Sequence, residues 1–390
     1  MRNVGTIVRG IRTPIIKEND DLASIVVDSV MNASISENFE ILDKDVIAIT
    51  EAVVGIAQGN YCTVDNIAKD IKNKFKTDHI GLVFPILSRN RFSMILKGIA
   101  RGCKHITMLL SYPADEVGNH LFDEKYLKEY DINPYVDTLS YEEYNKLFKD
   151  EVHTFTGINY VEFYKELVES ENCEIDFIFG NDPSEIYNYV DEALACDIHT
   201  RFRTKEILNC LGLDDIMNKS IDGSGFNSKY GLLGSNKSTD EKLKLFPNDG
   251  QKLVEDVQKM IKDKTGKDVE VMIYGDGAFK DPVGKIWELA DPVVSPFHTK
   301  GLAGTPNEIK LKYVSDNKFA NLKGEELQKA IRNEIKQKDK DLKGQNITLG
   351  TTPRQITDLL GSLCDLTSGS GDKGTPVVLV QRYFTNYADE

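Results

Sequence analysis

The sequence predicts a mixed α/β fold in which an inserted α/β region interrupts the rest of the chain. Three observations predict it. Runs rich in β-branched residues alternate with segments whose apolar residues recur at helical spacing. From His79 the alternation becomes regular, the rhythm of βαβ units. The chain then returns to helix, loop and a closing buried strand, Pro376 to Gln381 (PVVLVQ). A length of 390 residues suits two or three domains, or one large domain with an insertion. The division expected is 1–78 for the first part of the core, 79–215 for the inserted α/β region and 216–390 for the second part.

Taken in order, Asp20 and Asp21 cap a helix carrying Leu22, Ile25, Val26 and Val30. Asp45 to Val54 (DVIAITEAVV) reads as a buried strand. Thr63 caps a helix bearing Ile67, Ile71 and Phe75. His79 to Leu87 is a strand, Asn90 to Arg101 a helix and Lys104 to Leu110 a strand. Helical patterns follow at 124–130, 141–149 and 160–169, then a strand at Glu174 to Phe179 and a helix opened by Pro183. Ser220 to Asn236 is loop and turn material. Asp249 to Lys264 is a helix, and Asp268 to Tyr274 a strand ending in Gly275-Asp276-Gly277. Glu308 to Val314 alternates as a half-exposed strand does, while Lys323 to Lys343 and Thr352 to Thr367 are helical.

Apolar residues make up 40% of the chain and charged residues 28%, which supplies ample core and excludes general disorder. Acidic residues outnumber basic ones, 62 to 48, and a net charge of −14 repels a phosphate backbone. Nucleic acid is therefore not an expected partner, although a local pocket can still hold a small phosphorylated ligand. The six cysteines have no C-x-x-C pairing and read as reduced thiols. The N-terminus carries no apolar signal segment, and no run reaches the roughly 18 apolar residues of a membrane span. A cytoplasmic protein with no membrane partner is expected.

The densest chemical signal is Ser368-Gly369-Ser370-Gly371-Asp372-Lys373-Gly374, between a helix and a strand. Successive glycine N–H groups can converge on an anion, and the lysine adds charge. The order helix–loop–strand differs from the P-loop order, so a surface turn stays open as the alternative. Asp276, between glycines at a strand's carboxyl end, suits Mg²⁺ or Mn²⁺, or a turn satisfied by its own backbone. Ser88-Arg89-Asn90-Arg91 at a helix start suggests an anion or substrate site at Arg89 and Arg91, or simply a Ser88 cap. Asp115 and Glu116 form a carboxylate pair after a strand, and Gly180 to Ser184 a third strand-end loop. In an open α/β sheet these loops can share one crevice. No histidine has metal-ligand spacing; His298 lies in a Gly/Pro-rich loop. No residue is assigned as catalytic.

Several stretches, in order, resemble the coenzyme F420-0:L-glutamate ligase (γ-glutamyl ligase) family. Thr13-Pro14-Ile15-Ile16 followed by Lys17 to Leu22 resembles its PLI-x-x-GDDL opening. Asp45 to Asn60 resembles its DV-x-V strand and SK-x-EG turn. Gly231 to Asn236 with Leu245-Phe246-Pro247 resembles GID-x-SN … LLP. Val269 to Phe279 resembles V-x-V-I-x-DT-x-G, and the 368–374 loop with the final strand resembles the family's glycine-rich close. The resemblance implies a homodimeric ligase that joins glutamate, or a similar amino acid, to a small-molecule carboxylate. It further implies GTP or ATP as co-substrate, divalent metal and an acyl phosphate. Carried over residue by residue, Thr13, Pro14, Ile15, Ile16, Asn236 and Ser368, Gly369, Ser370, Gly371, Asp372, Lys373 and Gly374 would hold the nucleotide, and Asp276 the metal. The family's metal aspartate falls on Leu233, its nucleotide lysine on Ile56 and the following glutamate on Gln58. Replacement groups from the insertion, or a non-catalytic protein that binds a nucleotide or phosphometabolite, are both compatible with those departures.

Overall fold

The computed structural model describes residues 3–154, 156–275, 278–280, 287–289, 296–351, 354–368 and 372–389. Its elements are β1 (Ile7–Ile11), α1 (Leu22–Ser36), β2 (Val46–Thr50), α2 (Glu51–Ala57), β3 (Tyr61–Thr63), α3 (Val64–Lys74), β4 (His79–Val83), α4 (Phe92–Gly102), β5 (His105–Leu110), α5 (Lys125–Glu129), β6 (Leu139–Ser140), α6 (Tyr141–Phe148), α7 (Tyr160–Ser170), β7 (Glu174–Phe179), β8 (Ala193–Ala195), α8 (Arg201–Leu208), β9 (Leu211–Gly212), β10 (Asn236–Thr239), β11 (Lys242–Lys244), α9 (Gln251–Thr265), β12 (Glu270–Tyr274), β13 (Ala278–Lys280), β14 (Trp287–Leu289), α10 (Leu311–Asn317), α11 (Gly324–Gln337), α12 (Ile356–Ser368) and β15 (Val377–Gln381). The fold is mixed α/β, as the sequence predicts.

One sheet has the order β1-β15-β2-β12, with β2 and β12 parallel and the other pairs antiparallel. Period-two alternation gives it two buried faces. Ile47, Ile49, Val271, Ile273, Val377 and Leu379 pack under α1 and α9. Val46, Ala48, Met272, Tyr274, Val378 and Val380 pack against Leu360 and Cys364 of α12. The cap expected at the start of α1 forms, with Asp21 accepting from the Ser24 N–H at 3.2 Å and its hydroxyl at 2.7 Å.

A second sheet has the order β6-β7-β5-β4-β8-β9, all parallel except β6. Reading β4, β5, β7, β8 and β9 as strands one to five, the order is three-two-one-four-five. That is the doubly wound arrangement, with its switch point between β4 and β8. Its core takes in Val64, Ile67 and Ile71 of α3 and, from later in the chain, Leu232, Leu233, Leu243 and Leu245. Gly98 and Gly102 let α3 and α4 approach, since a Cβ on Gly98 would stand 2.6 Å from Ile67 and one on Gly102 would stand 2.9 Å from the Ala68 carbonyl. A small sheet, β10-β11-β3, joins the two regions.

Several elements differ from the sequence reading: the strand from His79 stops at Val83 rather than Leu87, the charged helix spans Gly324–Gln337 rather than 323–343, and Pro183 opens a short 3₁₀ helix. The run from Asp45 stays extended only to Thr50, and Glu51 begins a helix. β-Branched content marks residues 51–54 for burial but does not decide how they are buried, and here they form a helix at the sheet's end. Residues 311–317 are helical although 308–314 alternates. Among the described residues no strand pairs with this segment, and a helix satisfies its own backbone. Val314 is buried, and Ile309 packs with Phe319, Leu327, Ile331 and Ile335.

Candidate active site at the seam between the sheets

The carboxyl end of β2 runs directly into α2, which packs on β11 of the small sheet. The Thr13 N–H donates to the Gly374 carbonyl at 3.3 Å, and the Thr50 N–H donates to the Pro376 carbonyl at 3.0 Å. The opening segment and the glycine-rich loop therefore lie side by side. Ile16 is buried, whereas Ile15 is 87% exposed and Pro14 is exposed. Ser368 is buried, its hydroxyl 2.7 Å from the Tyr274 hydroxyl, and its carbonyl accepts from Thr375 Oγ1 at 3.2 Å. Asp372, Lys373 and Gly374 face solvent. Gly369, Ser370 and Gly371 lie outside the described residues, as does Asp276.

Asn236 stands opposite Lys244 in the β10–β11 hairpin, and the Lys237 N–H donates to the Asn90 carbonyl at 2.9 Å. This bond brings Asn236 beside the Ser88–Arg91 turn. Within that turn the Ser88 hydroxyl accepts from the Arg91 N–H at 3.2 Å, so Ser88 does cap the turn. The two arginines then part. Arg89 is exposed, on the side of His153 and Tyr160, whose ionisation its charge opposes or assists respectively. Arg91 turns into the seam, where burial lowers its pKa against the pull of Glu51 and Asp365.

Glu51 and Lys244 were not singled out by the sequence. Both are buried, at 5% and 7% exposure, and Glu51 Oε2 lies 3.4 Å from Lys244 Nζ. Burial raises the Glu51 pKa and lowers that of Lys244, while each partner's charge acts in the opposite sense. Arg91 favours the Glu51 carboxylate and disfavours the Lys244 ammonium. A glutamate after a β-branched run and a lysine in a K-x-K strand carry no sequence signal, because only the fold brings them together.

The other candidates are occupied structurally. Asp115 accepts from the N–H groups of Leu87, Val117 and Asn119, and from the Asn119 side chain, at 2.8–3.0 Å. Glu116 accepts from the N–H groups of Ile198, His199 and Thr200. Asn181 exchanges hydrogen bonds with the Tyr112 backbone at 3.2 and 2.7 Å. The strand-end loops of the second sheet do converge, but their carboxylates serve as clamps between loops. His298 pairs with Met272 of β12, and its Nδ1 lies 2.9 Å from the Thr299 carbonyl.

The departures from the family pattern also have structural roles. Leu233 is 7% exposed in the second sheet's core, and Ile56 packs beside the first sheet's core. Gln58 accepts from the Asn248 N–H at 3.1 Å and donates to the Asp249 carbonyl at 2.5 Å, pinning that turn. Among the described residues no three His, Cys, Asp or Glu side chains gather: Leu233 offers no donor, and the oxygens of Asp115 and Glu116 accept from N–H groups. Nor, among them, is any helix long and apolar enough to cross a membrane.

The fold and seam define an α/β protein with two main sheets and smaller ones beside them, whose buried charges Glu51 and Lys244 meet at the end of β2. The chain belongs to the F420-0:Gamma-glutamyl ligase family, whose sequence model matches residues 10–382. Membership supports a γ-glutamyl ligase-like function acting on small molecules. No curated protein matches the chain.

Proposed function

We propose that the protein is a nucleotide-dependent acid–amino-acid ligase, joining L-glutamate or a similar amino acid to a small-molecule carboxylate. A carboxylate oxygen of the acceptor attacks the terminal phosphorus of GTP or ATP, forming an acyl phosphate as the nucleoside diphosphate leaves. The amine then attacks the acyl carbon, phosphate departs and the nitrogen sheds a proton, leaving an amide. The observation that carries this reading is the Thr13–Gly374 backbone bond, which joins the two segments through which the family resemblance implies nucleotide binding. Lys373, exposed beside Gly374, is the loop's mobile charge toward the phosphates. In this reading Thr13 to Ile16, Asn236 and 368–374 contact the nucleotide.

Mg²⁺ or Mn²⁺ belongs to the proposal through Asp276 alone, and no step above is routed through it. A pair of chains in solution also belongs to it, and sedimentation equilibrium tests that part.

The decisive experiment supplies GTP or ATP, a panel of carboxylates and hydroxylamine. An acyl phosphate is trapped as a hydroxamate, formed in proportion to nucleoside diphosphate released. With glutamate in place of hydroxylamine, the amide is expected. Lys373→Ala should lower nucleotide affinity. A second reading, a non-catalytic binder of nucleotides or phosphometabolites, is favoured by the buried Leu233. It predicts a saturable melting shift with nucleotide and no hydroxamate with any acceptor.

A further inference from the structure

A groove of about 850 Å³ runs between β1, the edge strand of its sheet, and helix α1. That is room for a small molecule. Arg9 and Arg12 line its strand side, and Ser29, Asn32 and Ser36 line its helix side. Those three positions share one helical face, and their short side chains leave the space open. In a chain of net charge −14, the groove thus brings two arginines together. Glu37 also lines it, yet among the described residues no carboxylate pairs with either arginine.

Arg9 is held in place before any ligand arrives. Its guanidinium lies 4.3 Å from the centre of the Phe39 ring, and its Nη1 donates to Gln381 Oε1. Gln381 is buried and itself fixed, donating to the Glu40 carbonyl at 2.9 Å and to Asp45 Oδ2 at 2.6 Å. A stacked guanidinium keeps its plane and loses little freedom on binding. The bond to Gln381 uses one N–H of the fork and leaves others for a ligand. A tie between β1 and β15 explains that bond, but it explains neither the groove nor Arg12, which is exposed beyond the strand's end.

The groove's position joins it to the ligase reading. Thr13 and Pro14 belong to its lining, and the Thr13 N–H donates to the Gly374 carbonyl. The groove therefore opens on the segment that contacts the nucleotide in that reading. An acceptor carboxylate that attacks the terminal phosphorus has to lie beside the same segment.

We propose that this groove seats the acceptor, with Arg9 and Arg12 gripping an oxyanion of it, carboxylate or phosphate, other than the carboxylate that reacts. This rests on the ligase reading above. A guanidinium fork matches two oxygens of either group. Ser29 and Asn32 supply neutral hydrogen-bonding partners across the groove. The acceptor class is then a small molecule with at least two anionic groups, since a monoanion engages the reacting end alone.

The test uses butyrate, glutarate and phosphoglycolate as probes on the full chain, by calorimetry and amide exchange. They carry one carboxylate, two carboxylates, and a carboxylate with a phosphate. The tighter of the two dianions names the oxyanion, and it should bind at least about tenfold better than butyrate. It should slow amide exchange in residues 9–13 and 29–36. Arg9→Gln and Arg12→Gln should each weaken it at least about tenfold. Arg9→Lys, which keeps the charge and loses the fork, should recover only part of that loss. Equal binding of all three probes, no binding of either dianion, protection confined to residues outside the groove, or unchanged dianion affinity in an Arg12→Gln protein that melts as the parent does overturns this inference. If hydroxamate still forms with nucleotide in that case, the ligase reading stands. A protein that binds a dianion in the groove but no nucleotide overturns the ligase reading, and the acceptor role with it.

Discussion

Glu116 Oε2 accepts both the backbone N–H and the hydroxyl of Thr200, each at 3.1 Å. With the N–H groups of Ile198 and His199 on the same carboxylate, one side chain ties the loop after β5 to the loop after β8. Removing it leaves several half-buried donors without a partner. Glu116→Ala should cost roughly 2–4 kcal/mol in urea unfolding, while Glu116→Gln, which keeps one acceptor, should cost less. Equal stability of all three proteins would contradict this clamp.

Gly231 has φ +52°, and a Cβ there would lie 2.4 Å from the Ile216 carbonyl oxygen and 2.6 Å from those of Asp214 and Leu213. Three backbone oxygens cannot retreat as a side chain can. Gly231→Ala should destabilise by roughly 3 kcal/mol or more, the cost of left-handed strain plus overpacking. A melting temperature matching the parent would show that the turn has room.

The β10–β11 hairpin is docked on α4 through Glu241, which pairs with Lys97 and accepts from Arg101 at 2.8 Å. Hydrogen bonds from Arg101 first, then Lys97, bring the Glu241 pKa from 4.5 down to about 2. A depressed carboxylate contributes stability that is complete above its unfolded value and lost as pH falls through the folded one. The pairing should therefore fade between pH 4.5 and about 2. Protection of the amides of residues 236–244, taken relative to their intrinsic exchange rates, should fall over that window, and Glu241→Gln should remove that fall. Because the glutamate is more than half exposed, solvent screening keeps the effect small.

Cys103 Sγ and Cys173 Sγ lie 3.8 Å apart at the starts of the adjacent strands β5 and β7. The contact lowers the pKa of Cys173 and raises that of Cys103. Hydrogen peroxide should convert the Cys173 thiolate to a sulfenic acid, which the Cys103 sulfur then displaces, releasing water and forming a disulfide. Mass spectrometry should find a loss of two hydrogens confined to the 103–173 pair. Persistent sulfenic acid at Cys173 would show that the two sulfurs cannot close.

Much of the fold is legible along the chain. Asp21 and Thr63 cap the helices they precede, and the Thr63 cap is reciprocated by Asn66. The βαβ rhythm from His79 is the second sheet. These are local or periodic signals, which short-range physics reads directly. The 308–314 alternation misleads because a strand needs a neighbour, and periodicity alone does not say whether one exists.

The sequence by itself determined the α/β class, the glycine-rich loop before the last strand and the family to which the chain belongs. Only the tertiary structure decided which charges share a site. It parted Arg89 from Arg91, spent Asp115 and Glu116 on backbone N–H groups, and set Glu51 against Lys244 across about half of the chain's length. Caps and periodic faces arise between residues a few positions apart. A buried ion cluster depends on how sheets are stacked, and its members need share no pattern in sequence.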